Sequence, residues 1–368
     1  PRPSKKEERA TAFLKAFGEG LGLETIVDEI GNVIIRKPAS PGMEDRAPIV
    51  IQGHLDMVCQ KNEDTDFDFE TQGIAMFVDG DWVKARGTTL GADNGIGVAS
   101  AMAILASNDI EHPPVEGLFT IDEETGMTGA KALEGGILNG EIMLNLDSED
   151  DSEITIGCAG GVDVTVTGEY EQADVENDSV AYDIAVKGLS GGHSGMDIHL
   201  GRGNANKLLN RILLDADNAF GIGVAAVHSG GLRNAIPREG FATITVPAAS
   251  AAEFEAFVSD LSDVLKAEYA TTDPNLVVLI ETTDVPLKRV EADYQAALLR
   301  AIAVCPNGVY RMSPDMENLV QTSNNLASVT VENGAFKFLC LTRGSVDSEK
   351  MELAHGIRSL FELIGADV

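Results

Sequence analysis

The sequence predicts an α/β domain with a mixed, largely parallel sheet and helices, followed by an α+β domain with a mostly antiparallel sheet. Three observations support this. Short apolar runs in the first 160 residues end in acidic or imidazole side chains, as strands of open α/β sheets do. Later residues alternate between strand and amphipathic-helix patterns. A length of 368 residues also exceeds what one core usually spans.

The chain opens with patterns that predict a helix and a hairpin. Ser4 and Glu7 have the spacing of a capping box, in which both side chains bond backbone N–H groups of the first helical turn. Apolar residues at helical spacing follow them. Runs at 23–27 and 33–35 flank Gly31-Asn32 and predict two hairpin strands.

The next elements place polar residues at strand ends. An apolar run at 48–53 predicts a central strand, and it is followed by an irregular acidic stretch at 60–80. A helix is predicted at about 95–106, and buried strands at 115–121 and 142–146. Strands that end in carboxylates or imidazole at one edge are typical of α/β active sites.

The second half of the chain predicts strands and helices that suit a layered α+β domain. We therefore expect two domains, 1–160 and 161–368, with the first one incomplete. The predicted strands are 180–188, 222–228, 240–247, 276–281, 326–331 and 336–342, and the predicted helices are 204–215, 251–268, 290–304 and 347–364.

Composition narrows the range of partners and compartments. A formal charge of −32 and a pI near 4.4 argue against nucleic-acid and anionic-membrane partners, because a polyanion would be repelled. The four cysteines are scattered without a CxxC pair, which fits a reducing compartment. No apolar run is long enough to span a membrane, and the N-terminus has no signal-peptide pattern. These features predict a cytoplasmic protein.

Four side chains at predicted strand ends or loops form a candidate metal site. One imidazole and three carboxylates suit Zn²⁺, Mn²⁺ or Co²⁺, and so many carboxylates suit two metals that share one ligand. The glycine-rich loop at 85–97 lacks the Gly-Lys-Ser/Thr of a phosphate-binding loop, so we expect its glycines to let the backbone hold Asp93 in a tight space. The four candidate ligands are His54, Asp93, Glu124 and Asp147.

Two further acids have predicted roles beside these ligands. Glu123, next to Glu124, is placed to take a proton from water. Asp56, two residues after His54, is placed to hold the second ring nitrogen of that histidine. Each acid alone is more often a solvated surface group, and only the joint placement favours a site.

Five segments together closely resemble the aminoacyl-histidine (Xaa-His) dipeptidases of the M20 clan of co-catalytic zinc peptidases. The likeness is specific between about 48 and 240 and looser to the end of the chain. The segments are Gly53-His54-Leu55-Asp56-Met57-Val58, Gly87 to Gly95 (GTTLGADNG), Asp122-Glu123-Glu124-Thr125-Gly126-Met127, Asn145-Leu146-Asp147-Ser148 and Gly188 to Gly195 (GLSGGHSG).

The resemblance implies a zinc-peptidase-like catalytic domain and a lid domain, and it assigns the metal ligands. His54 and Asp147 would hold one zinc ion and Glu124 the other. Asp93 would bridge the two ions, with a cis peptide bond to Asn94.

The resemblance also assigns catalytic, substrate-binding and assembly roles. Asp56 would orient the metal-binding histidine, and Glu123 would be the general base. His193 would polarise the scissile carbonyl from the lid. Asn234 would position the peptide substrate and Arg343 would bind its C-terminal carboxylate. For His193 the alternative is a structural turn histidine, and for Arg343 it is a surface ion pair. A homodimer that forms through the lid is expected.

Other functions stay open at this point. The same ligands would serve a tripeptide aminopeptidase or an N-acyl amino acid amidohydrolase. A non-catalytic metal-binding module is the alternative of another class, but such a module has no need for Glu123.

The resemblance also implies a fifth metal ligand, a histidine that follows the lid. None of His112, His228 and His355 lies in a comparable motif, and His199 belongs to the lid. We therefore expect these 368 residues to be a fragment that lacks the C-terminal part of the catalytic domain, with little peptidase activity and poor solubility of its own.

Overall fold

The structure is a computed structural model that describes residues 1–61, 65–148, 152, 154–155 and 157–368. The chain forms two compact units, Pro1–Ile156 and Gly157–Val368. Among the described residues, no helix combines the length and the apolar character needed to cross a bilayer.

The first unit contains a mixed sheet and helices. Its elements are α1 (Glu8–Gly20), β1 (Glu24–Val27), β2 (Val33–Lys37), β3 (Ile49–His54), β4 (Met76–Asp79), β5 (Trp82–Ala85), α2 (Ala92–Ala106), β6 (Val115–Thr120), α3 (Glu123–Gly126), α4 (Thr128–Ala132) and β7 (Ile142–Asn145).

The sheet of the first unit has the strand order β1-β2-β6-β3-β7. β3 runs parallel to both of its neighbours, β6 and β7. β2 runs antiparallel to both of its neighbours, β1 and β6. Because β3, β6 and β7 are parallel, the residues that follow them emerge at the same edge of the sheet. α1 and α2 pack their apolar residues, including Leu14, Ala101 and Leu105, against Phe119 and other buried strand residues.

Two local predictions for the first unit are wrong. The Ser4 and Glu7 side chains do not form a capping box, since α1 begins at Glu8 without any side-chain cap bond. The stretch predicted to be irregular to residue 80 contains β4, which pairs with β5 in a hairpin. The predicted hairpin at β1–β2 and the central strand β3 are confirmed.

The second unit contains a larger, fully antiparallel sheet and four longer helices among its described residues. Its strands and helices are β8 (Gly160–Glu169), β9 (Gln172–Asp174), β10 (Ser179–Lys187), β11 (Gly192–His193), α5 (Ala205–Phe220), β12 (Gly223–Gly230), β13 (Ala235–Ile236), β14 (Gly240–Pro247), α6 (Ala251–Glu268), β15 (Val277–Thr283), β16 (Lys288–Val290), α7 (Ala292–Val304), β17 (Gly308–Met312), β18 (Val320–Glu332), β19 (Ala335–Gly344) and α8 (Asp347–Glu362).

This sheet has the order β15-β10-β14-β12-β18-β19-β8, with β17 also paired to β18. Alternate residues of its strands, such as Tyr182, Ile184 and Val186 of β10, are buried in one cluster with the apolar faces of α5, α6, α7 and α8. Strands that bury every second residue are expected where helices cover one face of a sheet. The predicted α/β and α+β classes are confirmed, although β8 and β17 were not predicted.

Phe338 lies at the centre of this second core and supplies a test of its packing. The side chain is fully buried, and its ring lies 5.2 Å from that of Phe336 and 5.4 Å from that of Phe361. We expect Phe338→Ala to lower the free energy of unfolding by about 3–5 kcal/mol, because it removes buried area and leaves a cavity. Urea denaturation followed by fluorescence measures this, and a loss below 1 kcal/mol would contradict the packing described.

Candidate active site

His54, the last residue of β3, is the centre of a cluster of carboxylates. Its ring is buried, and both ring nitrogens face acidic oxygens. Nδ1 lies 3.2 Å from Asp56 Oδ1. Nε2 lies 3.0 Å from Asp93 Oδ1 and 3.3 Å from Asp147 Oδ1. The structure thus brings together residues that the sequence places up to 93 positions apart.

The start of α2, where Asp93 and Asn94 have non-helical backbone angles, is shaped by close packing of Asn94. The Asp93–Asn94 peptide bond is cis, as the resemblance implied. The Asn94 side-chain amide donates to Leu146 O and to Asp147 Oδ1, each at 2.7 Å. A Cβ atom at Gly97 would lie only 2.3 Å from Asn94 Oδ1, so the glycine makes room for this amide. Sequence reasoning missed Asn94 as a positioning residue.

Asp56 is completely buried and connects His54 to the loop after β6. Its Oδ1 also accepts the backbone N–H of Glu123 at 3.0 Å, and its Oδ2 accepts the N–H of Glu124 at 3.1 Å. Burial alone raises the pKa of Asp56, but the hydrogen bonds from His54, Ser4 and the two backbone amides outweigh it and hold that pKa well below its usual range. Asp56 therefore stays ionised and fixes the position of both segments.

The described residues contain two overlapping groups with the spacing of metal ligands. His54, Asp93 and Glu124 form one group, and His54, Glu123 and Asp147 form the other. In each group one ligand atom per residue lies within 4.8 Å of the others. The geometry alone would let either Glu123 or Glu124 bind a cation, so it does not separate the base from the ligand.

The charges in this cluster favour a bound cation. Burial lowers the pKa of His54, yet hydrogen bonds from its ring to Asp147, Asp56 and Asp93 outweigh it and raise that pKa to about 12. Burial and the charge of Asp93 raise the pKa of Glu124 to about 7. The carboxylates thus attract positive charge to the position that His54 Nε2 faces. Imidazole and carboxylate donors fit divalent Zn²⁺, Mn²⁺ or Co²⁺.

These pKa values predict that metal binding releases protons. The raised pKa of His54 favours its protonated form when no cation is bound, whereas a metal-bound imidazole nitrogen must be unprotonated. We expect a cation bound through His54 to release about one proton, so that its affinity falls about tenfold for each unit of decreasing pH. Below pH about 7 Glu124 is protonated as well, so cation binding releases a second proton and the affinity falls more steeply with decreasing pH. Calorimetric titration with Zn²⁺ in buffers of different ionisation enthalpy measures the release, and no release would contradict the expectation.

The three predicted substrate-binding residues lie together in the second unit. His193 of β11 pairs with Ala235 of β13, directly after Asn234. The backbone N–H of Ser194 donates to Asn234 O at 2.7 Å, and Arg343 Nε donates to the Ser194 hydroxyl at 3.4 Å. Arg343 lies in β19, and burial lowers its pKa. The His193 loop, the backbone carbonyl of Asn234 and the Arg343 guanidinium therefore meet at one place in this unit.

Gly195 and Asn325 hold this group in place. A Cβ atom at Gly195 would lie 3.1 Å from the His193 ring and 3.3 Å from Arg343 Cζ. Buried Asn325 donates to Arg233 O at 3.1 Å and to Ala235 O at 2.7 Å, on either side of Asn234. The sequence offered no signal for Asn325, because a buried amide in a strand looks like any polar strand residue.

Comparison with known proteins finds relatives that are dipeptidases by name. A family model described as a peptidase dimerisation domain matches residues 184–273. The cytosol non-specific dipeptidase of Escherichia coli (strain K12) is 42% identical over 366 residues, which cover 100% of this chain and 76% of that protein. The crystal structure of aminoacylhistidine dipeptidase from Vibrio alginolyticus is 43% identical with a TM-score of 0.74, over 100% of this chain and 75% of the other.

The fold and the candidate metal ligands define a metallopeptidase with a dimerisation-type second domain. The chain belongs to the aminoacyl-histidine dipeptidase group of the M20 metallopeptidase family. The resemblance inferred from the sequence is confirmed.

Proposed function

We propose that the protein hydrolyses Xaa-His and related dipeptides in a metal-dependent reaction. The observation that carries this proposal is His54, whose ring lies between carboxylates that form two overlapping metal-ligand groups. The relatives from E. coli and V. alginolyticus, both dipeptidases by name, support the substrate class. The two groups around His54 contain one more acid than the proposed ligands, and this acid is available for proton transfer.

We assign the cations to specific residues. His54 and Asp147 would hold one Zn²⁺ ion, Glu124 the second, and Asp93 would be shared. Mn²⁺ or Co²⁺ would suit the same donors. When bound, the two cations would polarise the scissile carbonyl and lower the pKa of a water molecule.

Glu123 acts as the general base in this mechanism. Burial raises the pKa of its carboxyl group, which brings it nearer to the range in which a carboxylate can take a proton and give it back. Glu123 removes the proton from the attacking water and transfers it to the leaving amine. Asp56 keeps the His54 ring oriented throughout, and it holds the backbone N–H of Glu123.

The second unit supplies substrate contacts in this proposal. His193 stabilises the carbonyl oxygen as negative charge develops on it. Arg343 binds the C-terminal carboxylate of the dipeptide through its guanidinium fork, and Asn234 positions the peptide. Residues 1–160 would then be the catalytic domain and residues 161–368 the lid and dimerisation domain.

A substrate panel tests the function. The protein expressed from its complete gene is freed of metal and assayed on an Xaa-His dipeptide, a matched tripeptide and an N-acetyl amino acid, with and without Zn²⁺, Mn²⁺ or Co²⁺. We expect the dipeptide to be cleaved fastest and only with metal. Faster cleavage of the tripeptide or of the N-acetyl amino acid would favour those activities instead.

The same panel distinguishes a non-catalytic protein. Tight metal binding without hydrolysis of any substrate would contradict the proposal and favour a metal-binding module. Assaying the 368-residue chain in parallel tests the expectation, made from the sequence, that this stretch alone has little activity.

We also propose that the protein is a cytoplasmic homodimer. The match of residues 184–273 to a peptidase dimerisation domain supports assembly through the second unit. The cytosolic E. coli relative supports the compartment. Sedimentation equilibrium of the active protein is expected to give twice the mass of one chain, and an active monomer would contradict the dimer.

A further inference from the structure

The segment before α1, residues 2–7, lies along the loops of the candidate metal centre, and we call it the clasp. Its backbone pairs with the segment after His54, since Met57 N–H donates to Arg2 O at 3.0 Å and Pro3 forms a parallel bridge with Met57. Three side chains of the clasp then contact three different loops of the site.

Ser4 completes the hydrogen bonding of Asp56. Its hydroxyl donates to Asp56 Oδ2 at 2.7 Å. Together with the His54 ring and the backbone amides of Glu123 and Glu124, it gives each carboxylate oxygen of Asp56 two neighbouring donors. A carboxylate has about four acceptor positions, so these four donors fix its rotation. Ser4 therefore acts on His54 through Asp56.

Arg2 connects the loop after β3 to the loop that carries Asp93. Its Nε donates to Leu55 O at 2.6 Å, and its Nη2 donates to Gly91 O at 2.9 Å. A Cβ atom at Gly95 would lie 3.3 Å from Arg2 Nη2, so the start of α2 is shaped to accept the guanidinium. The fork thus ties together the two segments that place His54 and Asp93.

Glu7 holds the third loop. Its buried carboxylate accepts the backbone N–H of Asp122 at 2.9 Å, directly before Glu123. Burial raises the pKa of Glu7. Asp122 has a left-handed backbone with φ of 51°, so this bond supports a strained turn.

We propose that Ser4 is a positioning residue of the metal centre, with Arg2 and Glu7 as its supports. Loss of the Ser4 hydroxyl leaves Asp56 Oδ2 with one donor fewer and frees the carboxylate to rotate away from the His54 ring. Groups that orient a metal-binding histidine typically change metal affinity or activity about 10–100-fold when they are removed. The part of the inference that concerns turnover rests on the proposed function, whereas the part that concerns metal affinity does not.

Ser4→Ala, Ser4→Thr and a control, Ser40→Ala, test this role in the protein expressed from its complete gene. Ser40 also lies in the first unit, and its hydroxyl bonds the backbone of His112 at a distance from the metal centre. Zn²⁺ affinity is measured by competition with a chromogenic chelator, and kcat and KM are measured at saturating Zn²⁺. We expect Ser4→Ala to weaken Zn²⁺ binding about 10-fold or more and to lower kcat with little change in KM. Ser4→Thr keeps a hydroxyl group at this position and is expected to have the parental Zn²⁺ affinity and kcat. Ser40→Ala is expected to leave both values unchanged.

Unchanged Zn²⁺ affinity in Ser4→Ala, with the parental melting temperature, would overturn the positioning role. If Ser4→Ala does not fold, Arg2→Lys decides, because lysine keeps the charge but replaces the two spaced donor nitrogens that reach Leu55 O and Gly91 O with a single nitrogen. Parental Zn²⁺ affinity in Arg2→Lys would then overturn the role of the clasp. Absence of dipeptide hydrolysis in the parent would contradict the proposed function only, since the Zn²⁺ measurements stand without it.

Discussion

Replacing Glu123 with alanine is expected to lower kcat by about 10²–10⁴-fold, the usual contribution of a general base, while bound metal stays near the parental level. In the proposed assignment Glu123 transfers protons and the cations are held by His54, Asp93, Glu124 and Asp147. Metal content is measured by atomic emission on dialysed protein, and kcat is measured with an Xaa-His dipeptide.

Glu124→Ala is the matched variant, because it removes the adjacent carboxylate from the group that contains His54 and Asp93. We expect it to lose bound metal as well as activity. The two variants must be compared because Glu123 also has the spacing of a metal ligand, in the group with His54 and Asp147. Metal loss in Glu123→Ala together with metal retention in Glu124→Ala would reverse the two assignments.

Replacing Arg343 with methionine is expected to raise KM for dipeptides by about 10–100-fold, because a hydrogen bond to a charged group contributes about 1.5–3 kcal/mol. Methionine keeps much of the apolar volume and removes the guanidinium. The guanidinium lies beside Ser194 and the His193 loop, and the lowered pKa of Arg343 reflects its burial. A partly buried guanidinium gains most from a carboxylate partner.

A substrate lacking the carboxylate sharpens this test. The parent is expected to prefer a dipeptide to its C-terminal amide, and Arg343→Met should lose most of that preference. Arg211→Met is the control in the same unit, since Arg211 forms an exposed ion pair with Glu268 at 2.7 Å. An unchanged ratio of kcat/KM for acid and amide in Arg343→Met would contradict the carboxylate-binding role.

The sequence by itself determined the classes of the two domains and the position of most elements. Apolar runs and periodicity sufficed for β3, α2, the helices α5 to α8 and the longer strands β10, β12, β14, β15, β18 and β19, because each of these buries apolar side chains over several residues. The segments that carry His54, Asp93 and the Glu123-Glu124 pair were also identified, because acids and imidazole just after apolar runs stand out. The family likeness of these loops is confirmed by the relatives.

Only the tertiary structure decided which partners the side chains choose. Ser4 and Glu7 have the local spacing of a helix cap, yet Ser4 bonds Asp56, 52 residues away, and Glu7 bonds the backbone of Asp122, 115 residues away. Asn94 likewise bonds the segment before Asp147 across the sheet edge. A local pattern cannot rank a bond to the neighbouring turn against one to a distant loop, because the second exists only once β3, β6 and β7 lie side by side and bring buried donors and acceptors together.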